Sequence, residues 1–130
     1  MSDNIAYCGG KLTIEFARLT NGTIPGLEFL TSREDRWQAR LVALFQRLGD
    51  FGRIRNPEQF KKVRNEFWEF KSFQIRMLCY YRRDGRVVIT HGFIKKRDSI
   101  PGSELLRAES IKREYESILA QTAEEGGREQ

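Results

Sequence analysis

The longest patterned stretch of the chain is Trp68–Arg97, where apolar and cationic residues share three short segments. β-Branched and aromatic residues dominate these segments, which is typical of strands. Asp84-Gly85 separates two of the apolar runs, Ile75–Tyr81 and Arg86–Phe93. This dipeptide favours the positive φ angles of a type I′ turn. The pattern therefore predicts three consecutive strands, of which the last two form a hairpin.

A strand and a helix are predicted before this stretch. Lys11–Leu19 has strand composition and ends at Asn21-Gly22. Apolar residues then recur every three or four positions, which indicates an amphipathic helix with one buried stripe. The stripe consists of Trp37, Leu41, Leu44, Phe45 and Leu48. Trp37 and Phe45 are interpreted as core residues. Leu27–Leu30 predicts a brief helical turn, and Pro57–Lys62 predicts a short helix or turn.

The last predicted element is a helix that begins near Pro101, since a proline suits the first turn. Its apolar stripe consists of Leu105, Ala108, Ile111, Tyr115 and Ile118. The resulting domain plan is a polar segment at 1–10, a folded domain at 11–119 and a flexible tail at 120–130. The element order predicts an α+β fold, with a mostly antiparallel sheet, helices on one side and the other face, or its rim, open to a partner.

Composition places this chain among globular proteins. Its 130 residues suit one domain, with 39% hydrophobic and 32% charged residues. No apolar run approaches a membrane span, and the first ten residues do not resemble a signal peptide, so the expected location is the cytoplasm. Cys8 and Cys79 are therefore expected to be reduced thiols. The common metal and dinucleotide motifs are absent from the sequence, so neither a metal nor a cofactor is expected.

Positive charge is concentrated in one segment. Between Arg53 and Arg97 there are 13 Lys and Arg against 4 Asp and Glu, although the net charge of the whole chain is only +5. A solvated surface would explain this excess without any function. Because the cations lie within predicted strands, a face that binds phosphate groups is the alternative that we favour.

Arg76 lies inside a predicted strand, where a buried arginine would be costly without a partner. Three outcomes are open: it reaches solvent, it pairs with Glu69 or Glu66, or it binds a phosphate. Guanidinium suits the last role because it donates two parallel hydrogen bonds to phosphate oxygens.

Lys95 and Lys96 end the last predicted strand. Adjacent strand residues point to opposite faces, so at most one of them shares the face of Arg76 unless the strand has ended or contains a bulge. They are alternatively solubilising lysines at a strand edge. His91 is the single histidine, and it is either a hydrogen-bonded structural residue or a group that transfers protons.

Further arginines flank the predicted hairpin. Arg82, Arg83 and Arg86 crowd its turn, and Arg97 follows at the far end. With these residues, the sequence is best suited to binding a polyanion or acting on one.

The sequence resembles the RelE/ParE superfamily of type II toxin–antitoxin toxins, and within it the phage-derived, HigB-like branch. The matching features are Gly26–Leu30 before a long helix, Trp68-Glu69-Phe70, Ile75-Arg76, Val88–Lys96, and Pro101 with Ser103-Glu104 opening the last helix. The resemblance covers most of Leu12–Leu119 in the expected order. It implies a compact RelE-like fold.

In the RelE and HigB branches, the resemblance implies metal-independent cleavage of mRNA in the ribosomal A site by attack of the ribose 2′-hydroxyl. The catalytic candidates are then Arg76, Lys95, Lys96 and His91. The RNA-binding candidates are Lys71, Arg82, Arg83, Arg86 and Arg97. The implied partners are the ribosome, mRNA and a separate antitoxin, often a helix-turn-helix protein whose complex with the toxin binds operator DNA; no membrane partner is expected.

Two other functions remain open at this point. Some members of the superfamily inhibit DNA gyrase without cutting RNA, and the sequence shows no compelling acid–base pair. A degenerate, phage-derived protein that only binds its antitoxin is the third alternative.

Overall fold

A computed structural model describes residues 3–96 and 100–128 of the chain. These residues form an α+β fold, as the sequence predicts. The strands are β1 Ile5–Cys8, β2 Thr13–Phe16, β3 Phe60–Arg64, β4 Phe67–Ser72, β5 Ile75–Arg82 and β6 Arg86–Ile94. The helices are α1 Pro25–Thr31, α2 Asp35–Phe51 and α3 Gly102–Arg128. None of these helices is long and apolar enough to cross a membrane.

The six strands form one sheet in the order β1-β2-β6-β5-β4-β3. All neighbouring pairs are antiparallel except β2 and β6, which run parallel from Thr13 opposite Arg86 to Phe16 opposite Ile89. The N-terminal strands thus extend the sheet at the edge of β6. The predicted three-stranded unit β4-β5-β6 is confirmed.

Helices cover both faces of the sheet. The face under α1 and α2, here called the α2 face, is built on Ile14, Phe16, Leu41, Phe45, Leu48, Phe70, Met77 and Ile89. The face under α3, here called the α3 face, is built on Phe67, Leu78, Tyr80, Val88, Leu105, Ala108, Ile111 and Tyr115. The expectation that one face stays open is therefore wrong, because the apolar stripe of α3 is buried against it.

A bulge in β6 determines which residues face α3. Cys79 lies opposite Ile89 whereas Leu78 lies opposite His91, so Thr90 is an extra residue in β6. Since side chains alternate along a strand, the extra residue moves the odd-numbered positions after it onto the α3 face. His91 accordingly points toward α3.

The turn between β5 and β6 differs from the prediction. Arg82 pairs with Arg86, which leaves a loop of three residues instead of two. Gly85 has φ 76°, whereas Asp84 is not among the described residues with positive φ. A type I′ turn needs positive φ at both central residues, so it is excluded here. A three-residue loop with a left-handed glycine forms the hairpin instead.

Several predicted boundaries also move. The predicted helix or turn at Pro57–Lys62 is a turn only before Phe60; its residues Phe60–Lys62 belong to strand β3, because Phe60 packs into the α2 face and β3 pairs with β4. Strand β1 lies within the segment 1–10, and α3 continues through Arg128, past the expected start of the tail. Cys8 and Cys79 are free thiols, as expected.

The link between β1 and β2 is fastened to α2 at Gly49, whose carbonyl accepts hydrogen bonds from the backbone N–H groups of Lys11 and Leu12. A Cβ at Gly9 would lie 2.1 Å from the Gly49 carbonyl carbon. We expect Gly9→Ala to lower the free energy of unfolding by about 1–3 kcal/mol, since backbone on both sides must move.

Gly10→Ala is the matched control, because a Cβ there meets no atom within 4 Å. Its effect should stay below about 0.5 kcal/mol. Urea unfolding of both variants measures the difference, and equal midpoints would contradict the close contact of β1 with α2.

Candidate functional site

A buried ion pair lies on the α3 face. Glu69 of β4 is 0% exposed and Arg76 of β5 is 9% exposed. Nε of Arg76 lies 3.3 Å from Oε1 of Glu69. Neither carboxylate oxygen of Glu69 has a hydrogen-bond partner among the described residues. Of the outcomes left open by the sequence, the structure thus shows pairing of Arg76 with Glu69.

The Arg76 guanidinium also ties down the turn between β4 and β5. Its Nη1 donates to the carbonyl of Phe73 at 2.7 Å and to the carbonyl of Ile75 at 3.0 Å. These contacts use Nη1 and Nε, and within residues 3–96 and 100–128 Nη2 has no partner. The Arg76 guanidinium is therefore held in place, and its Nη2 remains as a hydrogen-bond donor for a ligand.

A cleft of about 210 Å³ lies over Glu69. It lies between the strands and the start of α3, and its lining includes Lys61, Lys62, Arg64, Glu69, Lys95 and Leu105. Lys61 lies directly opposite Glu69 in the pairing of β3 with β4. Three lysines and one arginine thus surround one buried carboxylate, an arrangement that favours binding of an anion.

Lys71 belongs to the same cluster of charges. It lies opposite Arg76 in the pairing of β4 with β5, and its Nζ donates to the carbonyl of Pro57 at 3.3 Å. Burial lowers the pKa of Lys71, and the positive charges of Lys61 and Arg76 lower it further. Its amine is therefore more readily deprotonated than that of an ordinary lysine.

Lys95 and Lys96 take different positions. Lys95 lines the cleft beside Glu69, whereas Lys96 is exposed and is not part of that lining. The bulge at Thr90 explains this choice, because the alternation without it would have put Lys96 on the α3 face. The backbone N–H of Lys95 donates to the carbonyl of Gln74 at 2.7 Å, which fixes the chain at this point.

His91 is buried under α3 and 0% exposed. Its Nε2 lies 3.0 Å from Oε1 of Glu104, and its Nδ1 lies 3.2 Å from the Thr90 hydroxyl. Burial lowers the pKa of His91, although the hydrogen bond with Glu104 acts in the opposite direction; the charge of Arg107 adds to the lowering. Both ring nitrogens are engaged within the fold, so the structural role is the one that its position supports.

The lowered pKa of His91 predicts a pH-dependent stability. Below the usual value of 6.5 the unfolded chain takes up a proton that the folded chain resists, so stability is lost as the pH falls from 6.5 toward the folded pKa. Urea midpoints between pH 8 and 5 should fall in the wild-type chain and change less in His91→Asn. Glu104→Gln removes the interaction that raises the pKa, so its dependence should be steeper. Parallel profiles for all three proteins would contradict this.

The arginines of the β5–β6 hairpin lie far from this cluster. Arg82 follows Arg76 by six positions along β5, which corresponds to about 20 Å. Arg82 pairs with Asp84 at 2.9 Å and with Glu116 at 3.0 Å. Arg86 donates to Glu15 at 2.7 Å. The predicted RNA-binding residues therefore divide into two groups, and at this end carboxylates already neutralise two of the arginines.

The remaining predicted residues are Arg83 and Arg97. Arg83 is exposed at the hairpin tip. Arg97 lies outside the described residues. Tyr80 and Tyr115 are buried, and their hydroxyls donate to Glu116 and Glu15, so neither ring is exposed for stacking on a base.

The sequence reasoning missed Lys61 and the cleft position of Glu69. Phe60–Arg64 carries little strand signal, because two exposed lysines separate buried Phe60 from half-buried Val63 and the period of two is missing. The prediction of a helix or turn at Pro57–Lys62 left β3 out of the sheet and its lysines out of the site.

Comparison with known families gives a match over most of the chain. Residues 28–113 match the model of the family described as Phage derived protein Gp49-like (DUF891). This range covers well over half of the chain and contains α2, β3, β4, β5, β6 and the first part of α3. No curated protein matches the chain. The cleft thus lies within the matched range, and the chain belongs to the phage-derived Gp49-like family.

Proposed function

We propose that this protein is the toxin of a type II toxin–antitoxin system and that it cleaves mRNA on the ribosome without a metal. The observation that carries the proposal is the convergence of Lys61, Lys71, Arg76 and Lys95 around the buried carboxylate of Glu69. Membership of the Gp49-like family, which is a RelE-like toxin family, supports the general role. The HigB-like branch stays a prediction.

The cations supply the electrostatic part of the proposed reaction. A phosphodiester that is attacked by the neighbouring 2′-hydroxyl gains negative charge on its equatorial oxygens, and fixed cations stabilise that charge. Lys61 and Lys95 border the cleft and contact these oxygens, while the charge of Arg76, which pairs with Glu69 in the lining, adds to the stabilisation. Glu69 is a positioning residue, because it holds the Arg76 guanidinium and offsets part of the repulsion between the lysines.

Proton transfer is assigned to the lysines. The bond from O2′ to phosphorus forms as the bond from phosphorus to O5′ breaks, leaving a cyclic phosphate and a 5′-hydroxyl. Lys71 accepts the proton from O2′, because its lowered pKa raises the fraction of neutral amine. A protonated neighbour, Lys61 or Lys95, returns a proton to O5′. His91 has no part in this scheme.

The proposed partners are the ribosome with its mRNA and a separate antitoxin, a helix-turn-helix protein whose complex with the toxin binds operator DNA. The antitoxin would neutralise the toxin while both are present. The cationic cleft suits an anionic substrate, and it would also accept an acidic segment of an inhibitor.

Mapping of RNA ends after brief, controlled expression tests the proposal. We expect growth arrest with new 5′ ends inside translated codons, and no such ends when translation initiation is blocked. Inhibited DNA supercoiling with intact mRNA would instead select a gyrase inhibitor. A chain that causes no arrest in the absence of antitoxin would indicate a degenerate protein that only binds its partner.

A further inference from the structure

An exposed aromatic pair lies at the turn between β4 and β5, next to the start of α2. The ring of Phe73 stacks on the ring of Trp37, with centroids 5.6 Å apart and planes inclined by 15°. Phe73 is 73% exposed, while Trp37 is half-buried and packs against the α2-face core. We call this pair the aromatic platform. Trp37 fixes its position, and Phe73 presents it to solvent.

The backbone of Phe73 adopts a conformation that is unfavourable for a residue with a large side chain. Ser72 pairs with Ile75, so Phe73 and Gln74 form a two-residue loop, and Phe73 has φ 56°. Glycine is the residue usually found at such a position, and a bulky side chain with positive φ is strained. Neither packing nor backbone geometry favours a large exposed ring here. Strain of this kind concentrates at functional sites.

Arginines surround the aromatic platform. The guanidinium carbons of Arg36 and Arg40 lie 4.8 Å and 5.0 Å from the centroid of the Trp37 ring. Arg36 approaches one carboxylate, with Nε 3.6 Å from Oε2 of Glu34. A flat ring bordered by cations suits a nucleotide, since the base stacks on the ring and the phosphate meets the cations.

The aromatic platform is continuous with the proposed catalytic cluster. A cleft of about 400 Å³ between α2 and the end of β4 has a lining that includes Arg40, Arg47, Lys71 and Phe73. One carboxylate, Glu58, also borders it. Arg76, which pairs with Glu69, donates to the carbonyl of Phe73. Cations therefore line the path from the aromatic platform to Lys71, and Arg76 contacts both Phe73 of the platform and Glu69 of the cleft.

We propose that the aromatic platform stacks on an unpaired base of single-stranded RNA, whose phosphates follow Arg40 and Arg47 toward Lys71. This inference rests on the proposed function, because it assigns to the same substrate a second contact outside the cleft. It also accounts for the strained conformation of Phe73: the turn holds the ring out where a base can reach it.

Phe73→Gly is the informative variant. It removes the ring, relieves the positive φ and leaves the carbonyl that accepts from Arg76. We expect a thermal midpoint close to that of the wild-type chain, because relief of the positive φ offsets the added freedom of the unfolded chain and the lost contact with Trp37. Its affinity for an eight-nucleotide single-stranded 2′-O-methyl RNA, measured by fluorescence anisotropy, should fall about tenfold, in line with the loss of one stacked base.

Two matched controls separate stacking from other effects. Phe51→Ala removes a similarly exposed phenylalanine, 71% exposed at the end of α2, and should leave the affinity unchanged. Asn65→Gly relieves the other described non-glycine positive φ, 55°, without removing a ring. The wild-type chain should also prefer the single strand to an oligonucleotide with abasic sites, and Phe73→Gly should lose that preference.

The outcomes are decisive in both directions. Three results would each overturn the proposed stacking on RNA. They are an unchanged affinity of Phe73→Gly for the single strand, an equal loss of affinity for double-stranded RNA, and a wild-type chain that binds no single-stranded RNA. Because this probe lacks the attacking hydroxyl, binding is measured apart from cleavage. If the chain cuts no mRNA yet binds RNA through Phe73, stacking by the aromatic platform stands and the proposed function is wrong. If the chain cuts mRNA but its RNA binding does not depend on Phe73, the proposed function stands and stacking by the aromatic platform is wrong.

Discussion

Arg76→Ala is expected to abolish growth arrest and to reduce mRNA cleavage by about 100-fold or more, because it removes a fixed cation from the developing charge. The same change should lower the free energy of unfolding by about 3 kcal/mol, since Glu69 is left buried without its ion-pair partner. It also removes the two hydrogen bonds that hold the β4–β5 turn. Quantified RNA ends and urea unfolding measure the two effects.

A paired variant separates chemistry from folding. Replacing both partners, as Glu69→Gln with Arg76→Met, removes the unpaired buried charge and should recover most of the lost stability. Cleavage should stay at the level of Arg76→Ala. If the double variant regains both stability and cleavage, Arg76 serves the fold alone and the proposed site is wrong.

Lys95→Ala is the second large effect that we expect. Lys95 lines the cleft beside Glu69, so its removal should reduce cleavage by about 100-fold through lost stabilisation of the phosphate. Stability should change by less than about 0.5 kcal/mol, because the side chain is only half-buried and its backbone hydrogen bond to Gln74 remains. The rate at which the purified protein cleaves ribosome-bound mRNA measures this reduction.

Lys96→Ala is the matched control, with the same chemistry one residue away. The β6 bulge directs Lys95 toward the cleft and leaves Lys96 exposed outside it. Lys96→Ala should cleave within about twofold of the wild-type chain. A larger loss from Lys96→Ala than from Lys95→Ala would show that the register of β6 differs from the one described.

The fold class followed from the apolar pattern, because the helices each present an apolar stripe whereas the hairpin strands are continuous apolar runs that are buried on both faces. Cys79 and Tyr80, for example, are buried on opposite faces of β5. What the pattern did not contain was pairing between distant segments. Strand β3 is short and cationic, and only its position beside β4 makes Phe60 a core residue. The three-residue loop likewise depends on how Arg82 and Arg86 pair.

The candidate site was predicted in part. Arg76 stood out because a charged residue inside an apolar strand requires a partner. The choice of Lys95 over Lys96 depends on one extra residue at Thr90, and a bulge has no reliable sequence signal. Phe73 was not identified, since a single aromatic residue gives no hint of positive φ or of its contact with Trp37.

The parallel pairing of β2 with β6 has a consequence for synthesis. Thr13 pairs with Arg86, so Ile14 and Phe16 emerge from the ribosome long before the strand with which they pair. Contacts so distant in sequence slow folding, and the early segments remain exposed meanwhile. Lys95 emerges later still. An interrupted chain therefore lacks both the complete sheet and the complete cluster of cations, so the cationic cleft forms only after β6 and Lys95 have been synthesised.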